Sequence, residues 1–483
     1  MKSIEKRKIT DKVAHWVIKL GGVIVVIVIL AIFVFIFLEV YPLLKDAEVL
    51  EENSYSLSGV PVSLGVDEHQ EIAYAVYEEG RVDFISLIDK KLLKSYSLKS
   101  IGYSRISSIC KDNDFLIMGT DDGRVLTAEI GFSVSFEEDK RVINPILSEE
   151  TPYLIDERGK KVTYITSKRE EDSIATISCT EDGRVILKST VIERDLFGQE
   201  EREETIRDIS RIVLTAVKRS EIMITSLVLD LFLRNLYVGT SSGDLLRIDI
   251  SDREDPSLQE QVKVSDEPIT ALGFLLGDVS LAVGDQRGNA TVWMQVRDET
   301  TSEWFMKKAH TLESHHASVI AIVSSMRNKG FLTMASDGIV HLNHATSEQT
   351  LLKMNIKPIP TAIAFSPKSD GILVAGSGNE LIHWRISNPH PETTLKTLFG
   401  KIWYEGYEKP EFVWQSTGGT DDFEPKLSLV PLIFGTIKGT VYAMIFAVPI
   451  AILAALYTSQ FLHKSLKMIK PVIELMAALP SVI

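Results

Sequence analysis

Residues 269–293 read ITALGFLLGDVSLAVGDQRGNATVW. A short apolar run, SLAVG, leads into a turn at Gly288, and an alternating run follows and closes on Trp293. The same order recurs as YAVYEEGRVDFI around Gly80, IMGTDDGRVLTA around Gly123, ISCTEDGRVILK around Gly183 and YVGTSSGDLLRI around Gly243. It returns as TMASDGIVHL around Gly338 and VAGSGNELIHW around Gly378. Asp-Gly and Ser-Gly pairs supply the positive φ angles that a tight hairpin demands. The β-branched and aromatic residues beside them suit a pleated strand. Alternation in the second strand predicts one buried face: Val82 with Phe84, Val125 with Thr127, Val185 with Leu187. The turn glycines recur about every 50 residues, the length of one four-stranded blade with its loops. The pattern therefore predicts an all-β propeller of about seven blades over residues 47–400. A closed ring of blades leaves few sheet edges open, so many strands can coexist in one domain without aggregating.

ITALGFLLGDVSLAVGDQRGNATVW and TAIAFSPKSDGILVAGSGNELIHW (361–384) resemble WD-repeat blades, with Trp293 and Trp384 where such blades often carry tryptophan. The GH and WD dipeptides are absent, and the first three repeats depart furthest from the pattern. The resemblance implies the propeller and no ligand. The charged segment GQEEREETIRDISR (198–211) reads as a loop insertion between blades.

Lys and Arg number 52 against 66 Asp and Glu, a net charge of -14, which argues against a nucleic-acid partner. Cys110 and Cys179 are the two cysteines. With no C-x-x-C pair they do not suggest a zinc site, and they read as buried free thiols, a disulfide being the alternative in an oxidising compartment. His310, His315, His316, His341 and His344 lie within 35 positions. In a strand the adjacent His315 and His316 would point to opposite faces. There is no H-E-x-x-H motif and no P-loop. GTSSG (239–243) matches G-x-S-x-G, but the strand-like DLLRI follows where a nucleophile elbow needs a helix, so Ser241 reads as a hairpin residue. No catalytic, cofactor-binding or metal-binding residue is assigned, and the chain is not expected to be an enzyme.

The ends differ from the middle. Residues 20–38, LGGVIVVIVILAIFVFIFL, carry no charge and are 19 long, enough to cross a hydrocarbon core of about 30 Å at about 1.5 Å per residue. The run is too long for a signal-peptide core and no small-x-small site follows it, so an uncleaved helix over 16–41 is expected. Lys2, Lys6, Arg7, Lys8, Lys12 and Lys19 precede it, and Glu39, Asp46, Glu48, Glu51 and Glu52 follow. The positive-inside rule then puts the stub 1–15 in the cytoplasm and the propeller outside it. After a polar linker, 401–428, comes a second apolar helix, 429–457. His463, Lys464, Lys467 and Lys470 make 458–470 a cytoplasmic loop, and 471–483 begins a third membrane helix that stops early, so the sequence reads as a piece of a longer protein.

FGTIKGTVYAMIFAVPIAILAALYTSQF followed by IKPVIELMAALPSVI resembles the permease subunit of phosphate-type ABC importers. The match rests on Gly435 and Thr436, on Ala447–Ile450, and on Lys470–Val482, within about the last 55 to 85 residues. The long insertion between first and second spans departs from that family. From the residues themselves, Gly435, Gly439 and Thr440 permit close helix contact. Pro449, Pro471 and Pro480 kink or end helices. Glu474 suits a helix N-terminus, and Ser481 completes the motif. The resemblance implies a mixed membrane protein: an N-terminal transmembrane helix, an extracytoplasmic propeller, and a truncated α-helical permease segment. It implies a bacterial inner-membrane protein with a periplasmic propeller. It also implies as partners a second permease subunit, cytoplasmic ATPase subunits, an extracytoplasmic solute-binding protein and membrane lipid, with ATP hydrolysis in the ATPase. The alternative is a membrane-anchored propeller scaffold without transport.

Overall fold

The computed structural model describes residues 2–461 except 103, 138–139, 195–199, 218–221, 299, 358 and 421, together with Val472. Seven antiparallel sheets follow one another along the chain and form the blades of a propeller. Blade 1 runs from its inner strand Pro61–Val66 through Ile72–Tyr77 and Arg81–Ser86 to the outer strand Lys91–Ser97. Blades 2 to 6 repeat that order over 106–154, 162–208, 224–263, 269–311 and 319–355. Blade 7 takes Pro360–Phe365, Gly371–Gly376 and Glu380–Ser387 from the end of the ring, and its outer strand, Glu48–Ser56, from the beginning.

That exchange closes the ring. Glu48 pairs with Ser387 and Ser56 with Glu380. The Trp384 indole N–H donates to Glu52 Oε2 at 3.0 Å, and the Tyr55 hydroxyl donates to the Leu87 carbonyl in blade 1 at 2.9 Å. Tyr55, Leu64, Ala75, Ala364 and Leu373 form one apolar cluster across the seam.

The residues expected on a buried face, Val82, Phe84, Val125, Thr127, Val185 and Leu187, are buried, but burial is not confined to one face. The second strands Ile72–Tyr77, Ser280–Asp285, Gly330–Ala335 and Gly371–Gly376 are buried at every position. In the third strand of blade 1 the intervening Asp83 is buried with Val82 and Phe84. Blades stack face against face, so a middle strand meets a neighbouring blade on both sides, while the outer strand Lys91–Ser97 is mostly exposed.

The turns follow local chemistry. The Thr240 hydroxyl donates to the Asp244 carbonyl at 2.8 Å and accepts from the Asp244 amide at 3.0 Å. Thr120 does the same with Arg124, at 3.0 Å for both bonds. Gly80, Gly123, Gly183, Gly243, Gly288 and Gly338 take positive φ, as their spacing predicts. In the seventh turn the left-handed residue is Asn379, φ 57°, not Gly378. Asparagine tolerates that conformation, so the glycine one place earlier does not define this turn. The segment read as a loop insertion also differs: Glu200–Asp208 is the outer strand of blade 3, with Glu204 opposite Thr190. Exposed outer strands accept charge on their solvent face, which is how a strand came to look like a loop.

Two long apolar helices flank the ring. Helix α1, Lys2–Val40, continues through the turn Tyr41–Leu44 to the first strand. A short helix α2, Ser210–Val217, joins blades 3 and 4. After blade 7 the chain forms α3, Leu395–Phe399, then an irregular stretch, then α4, Val430–Gln460. The apolar windows of α1 and α4 are long enough to cross a membrane, and none of either window is buried among the described residues.

Strand direction defines two faces. The first-to-second turns and third-to-outer loops make a base face; the glycine turns and the connections between blades make a turn face. Strand Glu48–Ser56 starts at the base and Glu380–Ser387 ends there. Both flanking helices therefore attach to the base face.

Candidate functional site

The residues read as a polar linker, 401–428, are docked under blades 5 and 6. Tyr404 and Ile402 are buried, the Leu429 amide donates to the Leu398 carbonyl at 2.8 Å, and the Ser428 amide donates to the Val413 carbonyl at 3.0 Å. Lys329, in the base turn of blade 6, is 4% exposed and donates to Glu405 Oε2 and to the Leu276 carbonyl, both at 2.5 Å. The Thr346 hydroxyl donates to Glu424. Lys329, Thr346 and Glu424, with His344 and Tyr404, line a cavity of about 240 Å³. Glu405 Oε1 and Glu424 Oε2 are sealed from solvent with no hydrogen-bond partner among the described residues. Burial, with the Glu405 charge adding to it, pushes the Glu424 carboxyl above its usual range. Beside the cavity, hydrogen bonds from His310 and then Lys396 hold the Glu348 carboxyl low against its burial.

On the turn face, Glu78, Glu79, Arg105, Asp121 and Lys161 line a cleft of about 700 Å³ at the mouth of the central channel. Between blades 2 and 3, Arg184 grips the buried Asp156 with two bonds, 2.7 and 2.8 Å. Burial raises the Asp156 pKa, but Arg184 and the amides of Lys160 and Arg158 outweigh it and hold the carboxyl at about 2. This is a charge-assisted pair that joins blades.

The histidines serve packing. His315 lies in the connection before blade 6, buried while His316 is exposed. Its Nε2 is 2.8 Å from the Thr333 hydroxyl, which also accepts from Asn343 Nδ2 at 2.9 Å. Its ring stacks on His341 with centroids 3.8 Å apart. Burial, then the His341 charge, lowers the His315 pKa to about 4, so it is neutral at physiological pH. Sequence reading missed the His315–Thr333–Asn343 network; a histidine ahead of the inner strand and two polar residues at buried strand positions were its signal. His344 pairs with the Ser347 hydroxyl at 2.9 Å and is buried. Ser241 lies in a hairpin, its hydroxyl accepting from the Met223 amide at 3.0 Å, with strand Asp244–Asp249 next. Cys110 and Cys179 are separate free thiols, the latter pushed up to about 11 by burial. Among the described residues no group of three or more His, Cys, Asp or Glu could hold a metal ion.

Of the residues carrying the C-terminal resemblance, Gly435, Thr436, Gly439, Thr440 and Pro449 lie on α4. A Cβ at Gly435 or Gly439 would meet nothing within 4 Å. Thr436 and Thr440 return their hydroxyls to the carbonyls of Leu432 and Thr436, at 2.9 and 2.8 Å, which leaves a low strip along one side of the helix. Pro449 sits inside the helix. Pro471, Glu474, Pro480 and Ser481 lie outside the described residues.

No family model matches the chain, and no curated protein matches it. Solved structures do. The β-propeller domain of Cps50 (Swd1) from Myceliophteria thermophila is similar with TM-score 0.50 and 14% identity, over 70% of this chain and 100% of that one. Raptor from Chaetomium thermophilum gives TM-score 0.49 and 14% identity over 70% of this chain and 28% of that one. At such identity the first likeness is one of fold. The class is a seven-bladed WD40-like β-propeller flanked by two long apolar helices.

Proposed function

We propose that this chain is part of the permease subunit of an ABC-type importer, for phosphate or a related anion, whose inserted propeller docks a partner outside the cytoplasmic membrane. One observation carries the reading. The FGTIKGTV…AVPI segment, which resembles that permease family, falls within α4, a 31-residue helix with no buried residue. Such a helix needs lipid or other helices around it. The low strip along Gly435 and Gly439 suits close contact with a second helix. In this reading α1 and α4 cross the bacterial inner membrane and the propeller stands in the periplasm. A second permease subunit, two ATPase subunits and a solute-binding protein complete the transporter. ATP hydrolysis belongs to the ATPase. The partner meets the turn face, since both tethers leave from the base, and the charged cleft at the channel mouth gives it polar contacts.

The second reading, a membrane-anchored propeller scaffold without transport, is favoured by the share of the chain the propeller occupies. Deleting residues 50–395 from the full-length protein separates the two. Loss of anion uptake and of the co-purifying binding protein is expected. Unchanged uptake and unchanged partners would sink the docking role, and an absence of uptake in cells with or without the whole protein would favour the scaffold.

A further inference from the structure

We infer that the base face of the propeller rests on the lipid headgroup surface. The inference deepens the reading of α1 and α4 as membrane spans, and rests on that part of it alone. Both helices attach to the base. The seven residues 41–47 separate α1 from the first strand, and the docked exit segment brings the start of α4 beneath blades 5 and 6. A bilayer holding both helices therefore lies close to this face.

The chemistry of the face matches. Its protruding loops expose Ile88 (68%), Phe136 (74%), Phe232 (55%), Trp304 (50%) and Met326 (57%). They belong to the bases of blades 1, 2, 4, 5 and 6. Among the described residues, every exposed Phe and Trp of the blades is on the base side, Phe305 included. Among the described residues, the loops of the turn face expose only non-aromatic side chains of this size: Val60, Met223 and Ile359. Isolated exposed apolar residues need no explanation, but an uneven distribution does. A protein partner would ask for one contiguous patch. These residues are instead spread over the bases of five separate blades around a ring, as a broad surface rather than a single pocket would meet them. Aromatic side chains favour the headgroup region. Lys91 and Arg327, on or beside the same loops, are ion-paired with Asp89 and Glu68, so the apolar tips rather than free cations carry the contact with the headgroups.

The test uses the full chain in vesicles of phosphatidylcholine and phosphatidylglycerol. Single cysteines replace Phe232, Met326, Ile359 or Ile445 in a Cys110→Ala, Cys179→Ala background and carry an environment-sensitive fluorophore. Labels at 232 and 326 are expected to shift to the blue and lose emission to headgroup-level spin-labelled lipid. The label at 359 should do neither, and the label at 445 should be quenched by deep spin-labelled lipid. If 445 is quenched while 232 and 326 behave like 359, the face stands clear of the bilayer and the inference falls with the spans intact. Equal quenching at 359 and 232 would also overturn it. If 445 is not quenched, the span reading fails and takes the inference with it.

Discussion

At the scale of the residue, the turn glycines separate two physical demands. Gly183 and Gly243 have nearly the same φ, +79° and +80°. A Cβ at Gly183 would meet nothing within 4 Å, whereas at Gly243 it would lie 2.1 Å from the Ser265 carbonyl oxygen and 2.6 Å from that of Glu267. Gly183→Ala therefore carries only the left-handed backbone penalty, about 1–2 kcal/mol. Gly243→Ala adds a clash with backbone that cannot move without parting blade 4 from its connection to blade 5. Thermal unfolding of both variants should show a clearly larger loss for Gly243→Ala, and equal losses would show that crowding is not what selects glycine there. The two sites look alike in sequence, TEDGR against TSSGD, because the turn type is local while the crowding comes from residues more than twenty positions on. Asn379 makes the same point in reverse: asparagine suffices where the chain needs only the angle.

At the scale of the element, the blade count and the turn positions were legible because hairpin chemistry and strand alternation act over a dozen residues. The closing strand was not. Glu48–Ser56 reads EVLEENSYS, a polar, charged run without a glycine turn, and its partner lies more than 300 positions away. Nothing local announces such a pairing. The same limit hid the docked exit segment, whose Pro, Gly and aromatic punctuation resembles a linker until Lys329 and Thr346 supply its contacts. The closing strand should matter out of proportion to its length. Without it, strand Glu380–Ser387 becomes an open edge that still carries Trp384, and the seam cluster around Tyr55 is lost. Removing residues 48–56 while keeping the helices should lower the unfolding temperature and drive self-association in detergent, read by light scattering. Replacing only Glu52 with Gln, which keeps the strand and an acceptor for the Trp384 indole, should do neither. A monodisperse product with an unchanged midpoint after the deletion would refute the role of the closing strand.

At the scale of the whole molecule, the question is how a ring of blades communicates with the helix that leaves it. The cavity under blades 5 and 6 is the joint: Lys329 and Thr346 belong to the propeller, Glu405 and Glu424 to the segment that leads into α4. Ionisable groups around it include Lys329, Glu405, His310 and His344. The folded pKa of Glu424 lies above the ordinary glutamate value of 4.5, first through burial and second through Glu405. The folded chain then holds a proton that the unfolded chain has already released. Stability from this group is complete below about 4.5 and falls as pH rises through the raised folded value, because the unfolded state gains more by ionising. Glu424→Gln keeps the acceptor for Thr346 and cannot ionise. Its unfolding midpoint should match that of the unaltered protein below about pH 4.5 and exceed it at higher pH, by an amount that grows across the titration and then levels. Glu348→Gln, beside the same joint but with its carboxyl held low, should show the opposite trend, losing stability at neutral pH. Parallel pH profiles for the unaltered protein and Glu424→Gln would mean that the buried carboxyl is fully compensated in both states, and that the joint holds α4 to the propeller by packing alone.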